Sequence, residues 1–562
     1  MSEKNCWQAV VEIFEAEDVR YVFGLPGSPY QLYDALYDSA AVKPVLMRHE
    51  TAGAFAAMGY ARVTGEPAVC FGSAGPGVTN LVTGLLEAQS ACTPLLVLGV
   101  GTSARHYGMG AFQEADTLAL CAPVSKWSAR VELPVRVPWY LRRAFALASN
   151  GKPGPVYLEF PADVALQTAE MPAYSKPERW LRTAPDPARA AAAAKLIAGA
   201  KRPLLVAGGG AVLSRAGDEL KALAERFSLP VMTTLSGRGV FPEEHPLALG
   251  LAGLYFSPIG ERAYAEVDVL VVIGSRSEEF QTGAWKFFPD GAKLVQIDID
   301  AFEIGRNWVP DAPVVGDAKL ALAALGAELD RLGVDPSAWQ SRADGLAQEK
   351  AKYEAEVAAE CTTEAVPLRS KRIVRQLMAV FGPNTILVNE NGGQDLWSYY
   401  HPYYKVQTGG LCVPPGEQTC MGFATGAAIG AKLAAPEKNV VCVTGDGAFQ
   451  FFNEEVASAK QAGAPVTWVV LNSYSLGWPR FGQRRLGDRF IATDFTVQPD
   501  FALLAKATGC YGEQVKNPAD IRPALARALA ANADGLPAVL DFAVDETELA
   551  PGFLSYYERT GR

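Results

Sequence analysis

Thr444-Gly445-Asp446-Gly447-Ala448-Phe449-Gln450, with Leu471-Asn472-Ser473-Tyr474-Ser475 further on, are the residues of this chain best suited to chemistry. An apolar run, Val440 to Val443, leads into the Gly-Asp-Gly. A helix-like segment, Phe451 to Ala462, follows it, and a second apolar run, Val466 to Leu471, ends in Asn-Ser. The pattern predicts a β-α-β unit with oxygen donors at the ends of two parallel strands, where open α/β sheets bind ligands. A carboxylate beside side-chain or backbone oxygens suits Mg²⁺, a hard cation that often arrives with substrate phosphates. Glycines flanking Asp446 let the backbone approach a diphosphate closely. The plainer reading of the same residues is an ordinary β-α-β turn with a helix-capping Asp.

These residues need a scaffold, and three α/β blocks are legible. At 562 residues the chain is too long for one core. In residues 1–170, 188–330 and 367–545, short apolar runs alternate with helical patterns, which predicts three doubly wound parallel-sheet domains of the α/β class. Met171 to Thr183 reads as a linker, and Asp335 to Val366 as a polar linker helix. The tail, residues 546–562, mixes aromatics with Gly and Pro and reads either as a lid over the site or as a surface-docked segment.

Composition narrows the function. Hydrophobic residues make up 49% and charged residues 20%, an ordinary soluble balance. The net charge is −10 with the two signs interspersed, which argues against a nucleic-acid surface. No apolar run reaches the length of a membrane span, and Met1 to Val10 lacks a signal core. Nine cysteines without a Cys-x-x-Cys pair predict reduced thiols in a cytoplasmic protein. Only four histidines occur, too few for a His-rich metal site.

The Gly-Asp-Gly unit resembles the diphosphate-binding signature of thiamine-diphosphate (ThDP) enzymes, which begins with Gly-Asp-Gly and ends in Asn-Asn. Along nearly its whole length the chain is similar to the acetolactate synthase and pyruvate oxidase group. The resemblance implies a pyrimidine-binding, a central and a diphosphate-binding domain, in that order. It also implies a cofactor shared between subunits, hence a homodimer at minimum and an expected homotetramer, acting on a small-molecule substrate. Asp446 and the carbonyl of Ser475 are the implied metal ligands. Asn472 matches the first Asn of the family pair, and Ser473 stands where the second, the usual ligand, is expected; the choice between Asn472 and Ser473 stays open. Gly445, Gly447, Ala448, Leu476 and Gly477 would surround the diphosphate. Glu390-Asn391-Gly392-Gly393-Gln394 resembles the family's other diphosphate loop, with Gly392, Gly393 and Gln394 facing the cofactor.

Glu50, in Arg48-His49-Glu50-Thr51-Ala52-Gly53, matches the glutamate that hydrogen-bonds the aminopyrimidine ring and so helps remove the cofactor's C2 proton. Thr419 and Met421 resemble the segment that bends the cofactor, Met421 as the apolar wedge and the Thr419 carbonyl as acceptor for the amino group. Gln113, in Phe112-Gln113-Glu114, would face the thiazolium, and Ser28, beside Gly27, is a candidate for the substrate's carboxylate or carbonyl. Trp478, Arg480 and Gln483 lie where relatives select substrates, and Gly482 takes the position of the usual acetolactate synthase tryptophan. In the central block, Ile273-Gly274-Ser275-Arg276 and Gln296 to Asp300 resemble segments that contact FAD; other relatives hold ADP or coenzyme A there, or nothing. The implied function is a ThDP- and Mg²⁺-dependent C–C lyase or carboligase acting on a 2-oxo acid or 2-hydroxy carbonyl compound. The alternatives are a 2-hydroxyacyl-CoA lyase or acyl-CoA decarboxylase and, from another class, a non-catalytic nucleotide-binding relative.

Overall fold

The computed structural model describes residues 3–27 and 30–561. It contains three six-stranded sheets, and the strand pairs within them are all parallel. Their central strands, such as Leu95–Gly101 and Val269–Ile273, are buried end to end because helices cover both faces.

Across the first sheet the strands run Lys43–Leu46, Tyr21–Gly24, Ala68–Gly72, Leu95–Gly101, Pro155–Pro161, Trp127–Arg130. Across the third they run Leu411–Val413, Thr385–Asn389, Asn439–Gly445, Thr467–Asn472, Ala538–Ala543, Tyr511–Val515. Counted from its own first strand, each of these two sheets has the order 2-1-3-4-6-5. The middle sheet has the order 3-2-1-4-5-6, that of dinucleotide-binding folds.

The equal topology of the first and third domains makes their helices correspond. Helix α1 (Glu50–Thr64) follows the second strand of the first sheet, and α2 (Pro76–Ser90) follows the third. Their counterparts in the third domain are α3 (Phe423–Ala434) and α4 (Glu455–Ala462). Helices α1 and α3 pack on each other at backbone contact. A Cβ built on Gly59 would lie 1.9 Å from the Ala427 carbonyl oxygen, and one on Gly430 only 1.7 Å from that of Ala56. Phe55 and Phe423 meet edge to face at 5.5 Å beside this contact, so the two domains share one core.

The polar segment expected as a linker helix forms Gln340–Glu360, which docks its Lys350 ammonium on the carbonyls of Glu243 and His245. Among the described residues no helix is long and apolar enough to cross a membrane. All nine cysteines are free thiols.

Candidate active site

Strands Asn439–Gly445 and Thr467–Asn472 are direct neighbours, with Gly445 opposite Leu471. Asp446 and Ser473 therefore leave the sheet side by side. Asp446 is 1% exposed, and burial pushes its carboxyl up to about 6 against the N–H groups and amide that hold it. Its Oδ1 lies 3.4 Å from Ser473 Oγ, which lies 3.3 Å from the Ser475 carbonyl oxygen. Adjacent oxygens around Mg²⁺ stand about 3 Å apart, so these three fit one face of its coordination sphere. Asn472 is otherwise engaged: its Nδ2 donates to Asp541 Oδ1 at 2.9 Å, and its Oδ1 accepts from the Tyr474 N–H. Gln498, which no sequence motif marks, donates from Nε2 to both Asp446 Oδ2 (2.8 Å) and Asn472 Oδ1 (2.9 Å). Among the described residues there is no cluster of three or more His, Cys, Asp or Glu side chains suited to a metal. A cation beside Asp446 would thus have one carboxylate and need further oxygens from its guest, as Mg²⁺ does with phosphates.

A cavity of about 130 Å³ opens beside these oxygens. Gly392, Gly393, Gly445, Gly447, Ala448, Leu476 and Gly477 line it, with Met421 and Trp478 at its side. Gly393 and Gly477 face each other closely, since a Cβ on Gly393 would come 3.2 Å from the Gly477 carbonyl carbon. Gln394 also lines the cavity, but its side chain is engaged by Ser370 Oγ (2.8 Å) and the Glu548 carbonyl (3.3 Å). Thr419 adopts a left-handed φ of +46°, and Met421, two residues on, is half-exposed toward the cavity. Two further buried acids line it. Glu390 Oε2 accepts from the Ala424 N–H at 3.2 Å, and Asp395 Oδ1 from the Gly392 N–H at 2.7 Å. Burial and mutual repulsion push Glu390 far above the carboxylate range, and burial lifts Asp395 to about 7. Burial thus disfavours the charged form of both. The side chains of Asn391 and Asp395 also carry buried polar atoms with no partner, Nδ2 and Oδ2, in this wall.

Helix α5 (Gly477–Arg485) starts at the cavity, and helix α6 (Phe553–Thr560) docks on it. The Trp478 indole N–H donates to the Tyr557 hydroxyl at 2.6 Å, and Phe481 packs on Phe553 at 4.5 Å. Arg480 is paired with Asp494 and Glu546, and Gln483 with the backbone of Ile491. A Cβ on Gly482 would meet nothing within 4 Å.

The second cluster sits at the strand ends of the first sheet. Glu50 opens α1, whose N-cap His49 accepts from the Thr51 N–H through Nδ1. The Glu50 side chain is buried, and its Oε2 accepts from Asn80 Nδ2 at 2.9 Å. Its Oε1 lies 3.2 Å from where a Cβ on Gly77 would stand. Gln113, at φ +57°, brings its carbonyl oxygen within 2.6 Å of a Cβ built on Gly75. Ser28 lies outside the described residues. Every residue that lines the Asp446 cavity comes from the third domain, so one chain carries the Glu50 and Asp446 clusters as two separate halves. A third cleft, about 690 Å³, runs between the first and central domains with Lys126, Lys152, Arg276 and Arg306 on its walls. Arg276 is already paired with Glu278 at 2.6 Å.

A glycine-lined cradle with clustered oxygen donors on one sheet, and a buried helix-opening glutamate on a second sheet of equal topology, define an enzyme that clamps a diphosphate-bearing cofactor. Comparison with known families names it. The N-terminal TPP binding domain of thiamine pyrophosphate enzymes matches residues 4–120, their central domain residues 190–325, and their C-terminal TPP binding domain residues 392–542. The chain belongs to the thiamine pyrophosphate enzymes. It is 36% identical to a probable acetolactate synthase large subunit of Methanocaldococcus jannaschii, over 97% of this chain and 92% of the relative. It is 35% identical to an acetolactate synthase of Mycobacterium leprae, over 96% of this chain and 86% of the relative. It is 34% identical to an acetolactate synthase large subunit of Corynebacterium glutamicum, again over 96% and 86%. The chain is a ThDP-dependent enzyme of the carboligase kind.

Proposed function

We propose that the chain is the catalytic subunit of an acetolactate synthase-like, Mg²⁺-dependent carboligase that takes a 2-oxo acid as donor. The observation that carries this reading is the trio of Asp446 Oδ1, Ser473 Oγ and the Ser475 carbonyl beside a glycine cradle. ThDP, when bound, supplies the electron sink for making or breaking a bond next to a carbonyl. The trio holds the cation, and Gln498 fixes Asp446 toward it. Gly392, Gly393, Gly445, Gly447, Ala448, Leu476 and Gly477 take the diphosphate, with Gln394 contributing through its backbone. Met421, on the cavity wall, would pack against the bound cofactor, and the Thr419 carbonyl would be an acceptor for its amino group. Glu50, brought by a second copy of the chain, would hold a proton at the pyrimidine ring, Gln113 would face the substrate, and Ser28 is assigned to the substrate from its sequence alone.

Trp478, held by the Tyr557 hydroxyl of α6, walls the acceptor side. The active unit is at least a homodimer, with a homotetramer expected, in the cytoplasm. Association with a smaller subunit is supported by the "large subunit" naming of relatives. The interdomain cleft is the expected place for a nucleotide, FAD, ADP or a coenzyme A thioester, although its four cations are matched on the same walls by Glu278, Glu279, Asp300 and Glu417; a visible flavin spectrum of the purified protein would select the first.

The test is calorimetric titration with ThDP and MgCl₂, followed by mass spectrometry of products from 2-oxo acids, aldehydes and acyl-CoAs. A carboligase product from a 2-oxo acid is expected. Cleavage of acyl-CoA substrates alone would replace this donor, and no binding heat would reject the reading. Glu50→Ala is expected to keep ThDP affinity within about threefold but to lower C2 proton exchange by about 100-fold or more, the usual range for a lost acid–base group.

A further inference from the structure

Two buried carboxylates, outside both clusters, cross between the first and third domains. Glu87, on α2, reaches the loop ahead of Met421: its Oε1 accepts from the Gly416 N–H and its Oε2 from the Cys420 N–H at 2.9 Å. Glu455, the first residue of α4, reaches the turn ahead of Glu50. Its Oε1 accepts from the N–H groups of both Arg48 (2.9 Å) and His49 (3.0 Å). Both side chains are fully buried. They occupy corresponding places, each on the helix after the third strand of its own sheet. Each holds the segment that enters the helix after the second strand of the other sheet.

The anchored segments are tight. A Cβ on Gly416 would come 2.8 Å from Glu87 Oε1, so only glycine lets the loop reach the carboxylate. Beyond the anchor at Cys420 the chain passes Met421 and turns through Gly422 at φ +84° into α3, with left-handed Thr419 just before it. On the other side, the Arg48 guanidinium is pinned to Ser458 and Gln461 of the same α4 segment, and Glu50 follows immediately as the first residue of α1. A buried carboxylate is costly unless it is hydrogen-bonded; both oxygens of Glu87 and Oε1 of Glu455 have backbone partners next to cofactor-facing residues, whereas Glu455 Oε2 is buried without one.

We propose that Glu455 and Glu87 are positioning residues for the thiamine chemistry. Glu455 sets the place of Glu50, and Glu87 sets the place of Thr419 and Met421. The inference rests on the thiamine reading above. The two carboxylates work differently. Glu455 serves both N–H groups with one oxygen, which a glutamine carbonyl can reproduce. Glu87 uses one oxygen for each N–H, so a glutamine would turn its NH₂ onto a donor. Aspartate at 455 keeps the charge but withdraws it by one methylene.

The experiment compares full-length wild type with E455Q, E455D and E87Q. It measures ThDP affinity by calorimetry with MgCl₂, C2 hydrogen–deuterium exchange of the bound cofactor by quenched NMR, and melting of the ligand-free protein. E455D is expected to bind ThDP within about threefold of wild type but to exchange about tenfold more slowly, whereas E455Q stays within about threefold in both. E87Q is expected to weaken ThDP binding about tenfold while exchange in the saturated enzyme stays within about threefold. Wild-type exchange in E455D, an equal loss in E455Q and E455D, or wild-type affinity in E87Q overturns the proposal. So does a loss that only tracks the melting temperature of the ligand-free variant. A wild type that neither binds ThDP nor exchanges C2 overturns the thiamine reading and this inference together.

Discussion

At Asn472 and Ser473 a single step along a strand separates two fates. Successive side chains of a strand point to opposite faces. Asn472 turns to Asp541 on the neighbouring strand, and Ser473 turns to Asp446. Gln498, which donates to Asp446 Oδ2, is expected on truncation to alanine to lower Mg²⁺ affinity about tenfold, because the carboxylate loses the partner that orients it. Titrating MgCl₂ against the ThDP-dependent thermal shift measures this; an unchanged midpoint would remove Gln498 from the site. Asp446, Glu50 and Met421 stand in contiguous motifs, which is why the sequence alone could single them out as candidates. Gln498 and Asn80 were not so marked, for each meets its partner through the fold, Gln498 across 52 positions and Asn80 across 30.

Helices α1 and α3 carry the site at their N-termini, and their mutual contact decides where those ends lie. Gly430→Ala would force a methyl into the Ala56 carbonyl, and overpacking of this kind costs about 2–3 kcal/mol. The expected outcome is a lower melting temperature together with weaker ThDP binding; a neutral substitution would mean that the helices separate freely. The helix Gln340–Glu360 illustrates a second kind of tie. Burial pushes Glu354 up, but His401 Nε2 at 3.2 Å and Lys405 Nζ at 2.9 Å pull it down to about 2. Burial holds the His401 ring below its usual range, so Lys405 supplies the charge. Because the folded carboxyl titrates below its ordinary value of 4.5, this pairing stabilises fully above about pH 5 and is lost as pH falls toward 2. Glu354→Gln is expected to cost about 1 kcal/mol at pH 7, since the pair is partly solvated. Its melting deficit should close as pH drops from 5 toward 2, and a deficit independent of pH would contradict the pairing. The helical pattern of this segment was readable from its polar composition; its docking partners were not, because they lie on loops of two other domains.

For the whole molecule, the separation of the Glu50 and Asp446 clusters within one chain makes a quantitative expectation. If each working site joins Glu50 of one copy to Asp446 of another, Glu50→Ala and Asp446→Asn are each inactive alone. In a mixed population about half the dimers are hybrids, and each hybrid has one of its two sites intact. Co-expression is then expected to restore about a quarter of wild-type specific activity by this twofold-symmetric count. Complete inactivity of the mixture would place both residues in a site made by a single chain.

The sequence by itself determined the three α/β blocks, because strand and helix periodicities are local, and it singled out the Gly-Asp-Gly, Glu50 and Thr419–Met421 segments as candidates, because their residues are contiguous. The tertiary structure alone decided that Ser473 rather than Asn472 stands with Asp446, since that depends on which face of the sheet each side chain takes. It also decided that Glu87 and Glu455 each hold the other domain's entry to a helix. Those contacts arise only when two sheets of equal topology press their second helices together at glycine.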